Sequence, residues 1–91
     1  MALKRGKEPS EVAEIVAIQA LNFLARDPVR LGAFLSETGI GPQTLRASAT
    51  DPKFLAGVLD FILKDDDTVK AFAESSQLPP ATITAAREAF G

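Results

Sequence analysis

Residues 38–45 include the side chains and backbone groups best suited to binding a charged ligand. Gly39 and Gly41 flank Ile40, and Pro42 then marks the start of a short helix. Glycines let the backbone approach a ligand closely, and the unpaired N–H groups at a helix start can hold a phosphate. The candidate phosphate contacts are therefore Gly39, Ile40, Gly41, Thr44 and Arg46.

This turn resembles the helix-hairpin-helix motif of DNA repair and replication proteins, in which a Gly-hydrophobic-Gly loop precedes a helix. Gly39, Ile40 and Gly41 match the loop, and Thr44 matches a common residue at the helix start. The resemblance implies DNA binding without sequence preference, with Arg46 adding positive charge near the phosphates.

Three positions depart from the motif. Gln43 lies where the family commonly has Lys, Leu45 lies where it commonly has a small Ala, and Glu37 would face a phosphate with the wrong charge. A Gly-x-Gly turn is also a common connection between helices. We therefore favour a structural turn and keep DNA binding as the alternative hypothesis.

The remaining polar residues form no catalytic or metal-binding pattern. The sequence has no Cys and no His, which excludes disulfides, thiolate zinc sites and an imidazole base for the serines. Asp65, Asp66 and Asp67 lack the spacing and central Gly of a calcium loop, whereas acidic residues suit the start of a helix. We expect a protein that is not an enzyme and has no metal or cofactor.

The charge is distributed unevenly along the chain. Lys4, Arg5 and Lys7 make residues 1–9 a basic leader, which we expect to be flexible, so the remainder is more acidic than the net charge of −2. An acidic body repels phosphate backbones. Glu11 and Glu14 interrupt the apolar run that follows the leader, which argues against a secretory signal. We expect a cytoplasmic protein that does not enter a membrane.

Capping signals divide residues 10–91 into six short helices of a single all-α domain. Asp27-Pro28 and Asp51-Pro52 each combine an N-cap with Pro at the first helical position. Gly39 suits the left-handed position that ends a helix. The predicted helix starts are Ser10 as N-cap, Asp27-Pro28, Gly41-Pro42, Asp51-Pro52, the run 65–67 and Pro79-Pro80.

The sequence also matches itself at a shift of 38 positions, without a gap. The identical pairs include Leu21 and Leu59, Phe23 and Phe61, Asp27 and Asp65, Ala33 and Ala71, Phe34 and Phe72, Pro42 and Pro80, and Thr44 and Thr82. A repeat of this length predicts an internal duplication. We expect two three-helix units, about 10–49 and 50–91, packed about a pseudo-twofold axis with the first and fourth helices in contact.

The first predicted helix carries more apolar surface than a core needs. Ile15 and Ile18 interrupt its polar strip and are candidates for a partner surface. The favoured function is therefore binding to another protein, of unknown identity, or to a second copy of the chain. DNA binding through residues 39–45 is the alternative.

From residue 15 to residue 90 the chain also resembles a family of small uncharacterised helical proteins known chiefly from alpha-proteobacteria. The residues that carry the resemblance are the runs 20–25, 27–28, 38–40, 45–46 and 51–55, with 58–61. The family implies a bacterial, cytoplasmic, all-helical protein and supplies no activity.

Overall fold

The computed structural model describes residues 9–49 and 51–90, which form six helices and no strand and so confirm the all-α class. The predicted leader, apart from Pro9, lies outside the described residues. The helices are α1 (Pro9–Ala25), α2 (Pro28–Thr38), α3 (Pro42–Ser48), α4 (Pro52–Leu63), α5 (Asp66–Ser76) and α6 (Pro80–Ala89).

Local capping interactions explain most of these helix boundaries. The carboxylates of Asp27, Asp51 and Asp65 accept hydrogen bonds from backbone N–H groups in the first turns of α2, α4 and α5. Gly39 ends α2 at a φ of 72°, as predicted. The prediction for Ser10 was wrong, because α1 already begins at Pro9 and Ser10 lies inside its first turn.

The core forms around α1, which packs against α2, α4, α5 and α6. Ala13, Ala17 and Ala20 are fully buried, and such small side chains allow α4 and α6 to approach closely. From α4, Leu55, Val58, Leu59 and Ile62 complete the centre of the core. By contrast, α3 packs least closely against the rest of the molecule, although Leu45 contacts the core.

Equivalent structural features recur at the 38-residue spacing. Helices α1 and α4 end at Ala25 and Leu63, and α2 and α5 begin and end at matching positions. The ring of Phe23 lies 5.5 Å from that of Phe72, and the ring of Phe34 lies 5.4 Å from that of Phe61. These two contacts are reciprocal, as a twofold relation between the units requires.

The third helices of the two units differ in length. Helix α3 has 7 residues whereas α6 has 10, because the chain must leave α3 to begin α4 at Pro52. The duplication itself stays a prediction, supported by the matching boundaries and the reciprocal ring contacts.

Candidate interaction surface on the first helix

The 38–45 turn closes the C-terminal end of α2. The Gly39 N–H donates to the Leu35 carbonyl at 2.8 Å, and Ile40 packs against the core. The Thr38 hydroxyl donates to the Phe34 carbonyl at 2.9 Å and accepts from the Ile40 N–H at 3.4 Å. The left-handed residue and the apolar side chain are thus both accounted for by closing one helix and starting the next.

The other candidate phosphate contacts lie immediately before or within α3. Thr44 is exposed, and the side chain of Arg46 lies outside the described part of the chain. A Cβ atom on Gly41 would meet only the Gln43 Oε1 atom, at 3.9 Å, so packing does not require glycine there. Glu37 forms an ion pair with Lys64. Within the described part of the chain, this ion pair places the Lys64 ammonium against a carboxylate of the residue that precedes the turn.

A polar cluster joins α2 to α5 and was missed by the sequence analysis. Thr68 is only 4% exposed, yet its hydroxyl donates to Asp65 Oδ2 at 2.6 Å and accepts from Arg30 Nε at 3.2 Å. Arg30 also pairs with Asp27 and lies over the ring of Phe23. Arg30 and Thr68 are themselves 38 residues apart, so the repeat marks them as equivalent positions but gives no sign that their side chains touch.

Hydrogen bonds hold both carboxylates of this cluster in the ionised form. Bonds from the Arg30 backbone N–H and guanidinium lower the pKa of Asp27 below its ordinary value. The bond from the Thr68 hydroxyl lowers the pKa of Asp65. Asp65 also caps α5, as the sequence predicted for this acidic run. The cluster therefore fixes two helices against each other and leaves neither carboxylate ready to donate a proton near neutral pH.

An open groove of about 500 Å³ lies beside the cluster. Asp27, Glu37 and Asp65 lie along it with Arg30 and Lys64, so acids and bases are mixed. Each of these charged side chains has a partner within the fold. Because acidic and basic side chains are mixed and paired, the groove has no uniform charge that would favour an anionic or a cationic ligand.

The outer face of α1 carries the exposed apolar side chains that the sequence singled out. Ile15 is 41% exposed and Ile18 is 43% exposed, with Val12 beside them at 40%. At about 100° per residue, Ile15 and Ile18 lie on the side of the helix opposite the buried row of Ala13, Val16, Ala17, Ala20 and Leu24. The packing of the described chain thus buries the core face of α1 and leaves this outer face partly exposed.

A comparison with known protein families identifies the family to which the chain belongs. A model of the family described as "Protein of unknown function (DUF3572)" matches residues 10–91. The chain belongs to the DUF3572 family. This agrees with the resemblance to an uncharacterised family, while the alpha-proteobacterial source stays an expectation. No curated protein and no solved structure matches the chain.

Membership of DUF3572 brings no reaction, ligand or partner with it, so the function has to be argued from the surface. Among the described residues, no helix is both long enough and apolar enough to cross a membrane. Nor do those residues place three potential metal ligands together. The outer face of α1 is the strongest remaining candidate site in this DUF3572 protein.

Proposed function

We propose that this DUF3572 protein is a non-enzymatic helical module whose outer α1 face binds another protein or a second copy of the chain. The observation that carries the proposal is the position of Ile15 and Ile18, half in solvent and opposite the core face of α1. Clustered apolar side chains that a soluble fold does not bury are characteristic of partner surfaces.

The exposed fractions set the strength of such an interaction. Full burial of an isoleucine contributes about 1.5–3 kcal/mol, so covering the remaining two-fifths of each side chain contributes about 1 kcal/mol. Association costs roughly 4–15 kcal/mol in lost freedom. Ile15 and Ile18 therefore support a reversible complex that needs apolar surface from the partner as well.

The polar chemistry of the chain agrees with a role in binding. Without Cys or His, a catalytic site would have to rely on carboxylates, lysines or hydroxyls. Among the described residues, Asp27 and Asp65 are the carboxylates with a shifted pKa, and both shifts lead away from the range useful for a general acid. Their hydrogen bonds to Arg30 and Thr68 give them a structural role instead.

The test compares the wild-type chain with the double variant Ile15→Lys/Ile18→Lys. Val29→Lys is the matched control, because Val29 is an apolar residue 82% exposed on a different helix. Sedimentation equilibrium up to about 1 mM protein reports self-association, and affinity capture with each variant as bait reports other partners.

We expect the double variant to lose self-association or a captured partner, and the Val29→Lys control to retain it. Far-UV circular dichroism checks that both variants stay folded. A strictly monomeric wild type whose captured proteins are the same as those of the double variant would refute the proposal.

A further inference from the structure

We infer that the partner of this face is α1 of a second copy, packed antiparallel so that Ile15 of each chain meets Ile18 of the other. The inference rests on the proposed function and specifies it. Its basis is the spacing and chemistry of four exposed residues along the outer side of α1.

These residues form a seam with the spacing of a coiled coil. Glu11, Ile15, Ile18 and Asn22 follow one another at intervals of four, three and four positions, and all four are exposed. On a helical wheel they fall within a sector of about 60° opposite the core face. Intervals of this kind keep one side of a helix against a partner helix.

The order of the four residues selects an antiparallel second copy. When Ile15 lies opposite Ile18 of the partner, Glu11 lies opposite Asn22, and the twofold axis repeats both pairs. The amide N–H group of Asn22 can then donate to the Glu11 carboxylate. A parallel pair would instead bring the two Glu11 carboxylates together and leave the two Asn22 amides facing each other.

The fold of a single chain explains why this face is uncovered. At the 38-residue spacing, Ile18 and Asn22 correspond to Ala56 and Asp60 of α4. That side of α4 is bordered by the C-terminal end of α6, where Arg87 Nε donates to Asp60 Oδ1 at 2.7 Å and Phe90 lines the same cleft. Helix α3 ends at Ser48, so it lacks the additional C-terminal turn that α6 has beside α4 and does not cover α1 in the same way.

The interface is also small, so the dimer depends on protein concentration. One pair of helices in contact over three turns buries less than the roughly 800 Å² per partner of a standard stable interface. We therefore expect dimers to accumulate toward the upper end of the concentration range, about 1 mM.

Single-cysteine variants test the direction of packing in a chain that has no native cysteine. Glu11→Cys and Asn22→Cys are each oxidised alone and as an equimolar mixture at high concentration, and the products are separated on a non-reducing gel. Positions 11 and 22 lie about 16 Å apart along one helix, too far for a disulfide within a chain.

We expect a disulfide-linked dimer in the mixture and only background amounts with either variant alone. Adding Ile15→Lys/Ile18→Lys to both chains should abolish the cross-link, whereas adding Val29→Lys should leave it unchanged. Cross-linking of either variant alone, at the level of the mixture, would show another packing direction and overturn the inference.

A second outcome separates this inference from the proposed function. If wild-type protein stays monomeric at about 1 mM and no mixture cross-links, the second copy is not the partner and the inference fails. The proposed function still stands in that case if the double lysine variant loses a captured protein that the Val29→Lys control retains. The proposed function fails as well if the double lysine variant captures the same proteins as the wild type.

Discussion

Substituting the two equivalent buried phenylalanines should destabilise the fold to different extents. Phe34 and Phe72 occupy matching positions in α2 and α5, and each is at most 1% exposed. The Phe34 ring meets two others edge to face, at 5.7 Å from Phe54 and 5.4 Å from Phe61. Among the described contacts, Phe72 meets one ring, that of Phe23, at 5.5 Å.

The difference in ring partners sets the expected magnitude. Phe→Leu keeps an apolar side chain of similar bulk at both sites, so the loss from reduced burial is nearly equal. Each aromatic pair contributes about 0.5–1.5 kcal/mol beyond its buried area. Phe34→Leu should therefore lower the free energy of unfolding by about 0.5–1.5 kcal/mol more than Phe72→Leu.

Urea unfolding followed by circular dichroism measures this difference directly. A domain of this size unfolds with a free energy of about 5–14 kcal/mol, so both variants should remain folded in water. The comparison is valid where the dependence on urea concentration is equal for the two variants. If Phe72→Leu costs as much as Phe34→Leu, or more, the ring contacts of α2 do not contribute as argued.

Further predictions concern pH, the helix ends and DNA. Because the folded-state pKa values of Asp27 and Asp65 lie below the ordinary value of 3.8, their contribution to stability is complete above that pH and is lost as the pH falls through the folded values. Melting temperatures from pH 6 to pH 2 should therefore fall less in Asp27→Asn/Asp65→Asn than in wild type, and parallel curves would contradict this. Gly39 and Gln77 both have positive φ. Gly39→Ala should therefore lower the free energy of unfolding by about 1 kcal/mol, and Gln77→Gly should raise it by up to about 1 kcal/mol. Unfolding curves that do not shift in opposite directions for the two variants would contradict this account. In a low-salt titration we expect no duplex or single-stranded DNA binding at micromolar protein, and salt-sensitive binding that Gly41→Glu abolishes would instead establish the helix-hairpin-helix hypothesis.

The helix boundaries were predictable because their signals are local. Asp27-Pro28 and Asp51-Pro52 determine helix starts through one carboxylate and one fixed φ angle, and neither depends on distant residues. Gln77 shows the limit of such signals. It adopts the left-handed conformation at the position equivalent to Gly39, although its side chain gives no hint of it, and its N–H and that of Leu78 donate to the Ala73 carbonyl to close α5.

Contacts between the two units were less predictable. The repeat aligned Arg30 with Thr68 without indicating that these two side chains would touch. A match of the sequence to itself shows which positions are equivalent but not how far apart they lie in the fold. The sparse packing of α3 was also missed, because its length is limited by the start of α4 and not by its own residues. The exposure of Ile15 and Ile18, by contrast, agrees with the helical spacing that singled them out.

The choice of isoleucine on the outer face of α1 is itself an argument for a contact there. Ile15 and Ile18 stay about two-fifths exposed, so they gain only part of their possible burial, and isoleucine has a lower helix propensity than Ala, Lys or Glu. At the equivalent positions α4 has Lys53 and Ala56, which favour a helix more. Folding alone would therefore favour such residues at positions 15 and 18 as well. Under the proposed function, isoleucine at both positions lowers the helix propensity of the isolated chain slightly and reaches full burial when this face is covered.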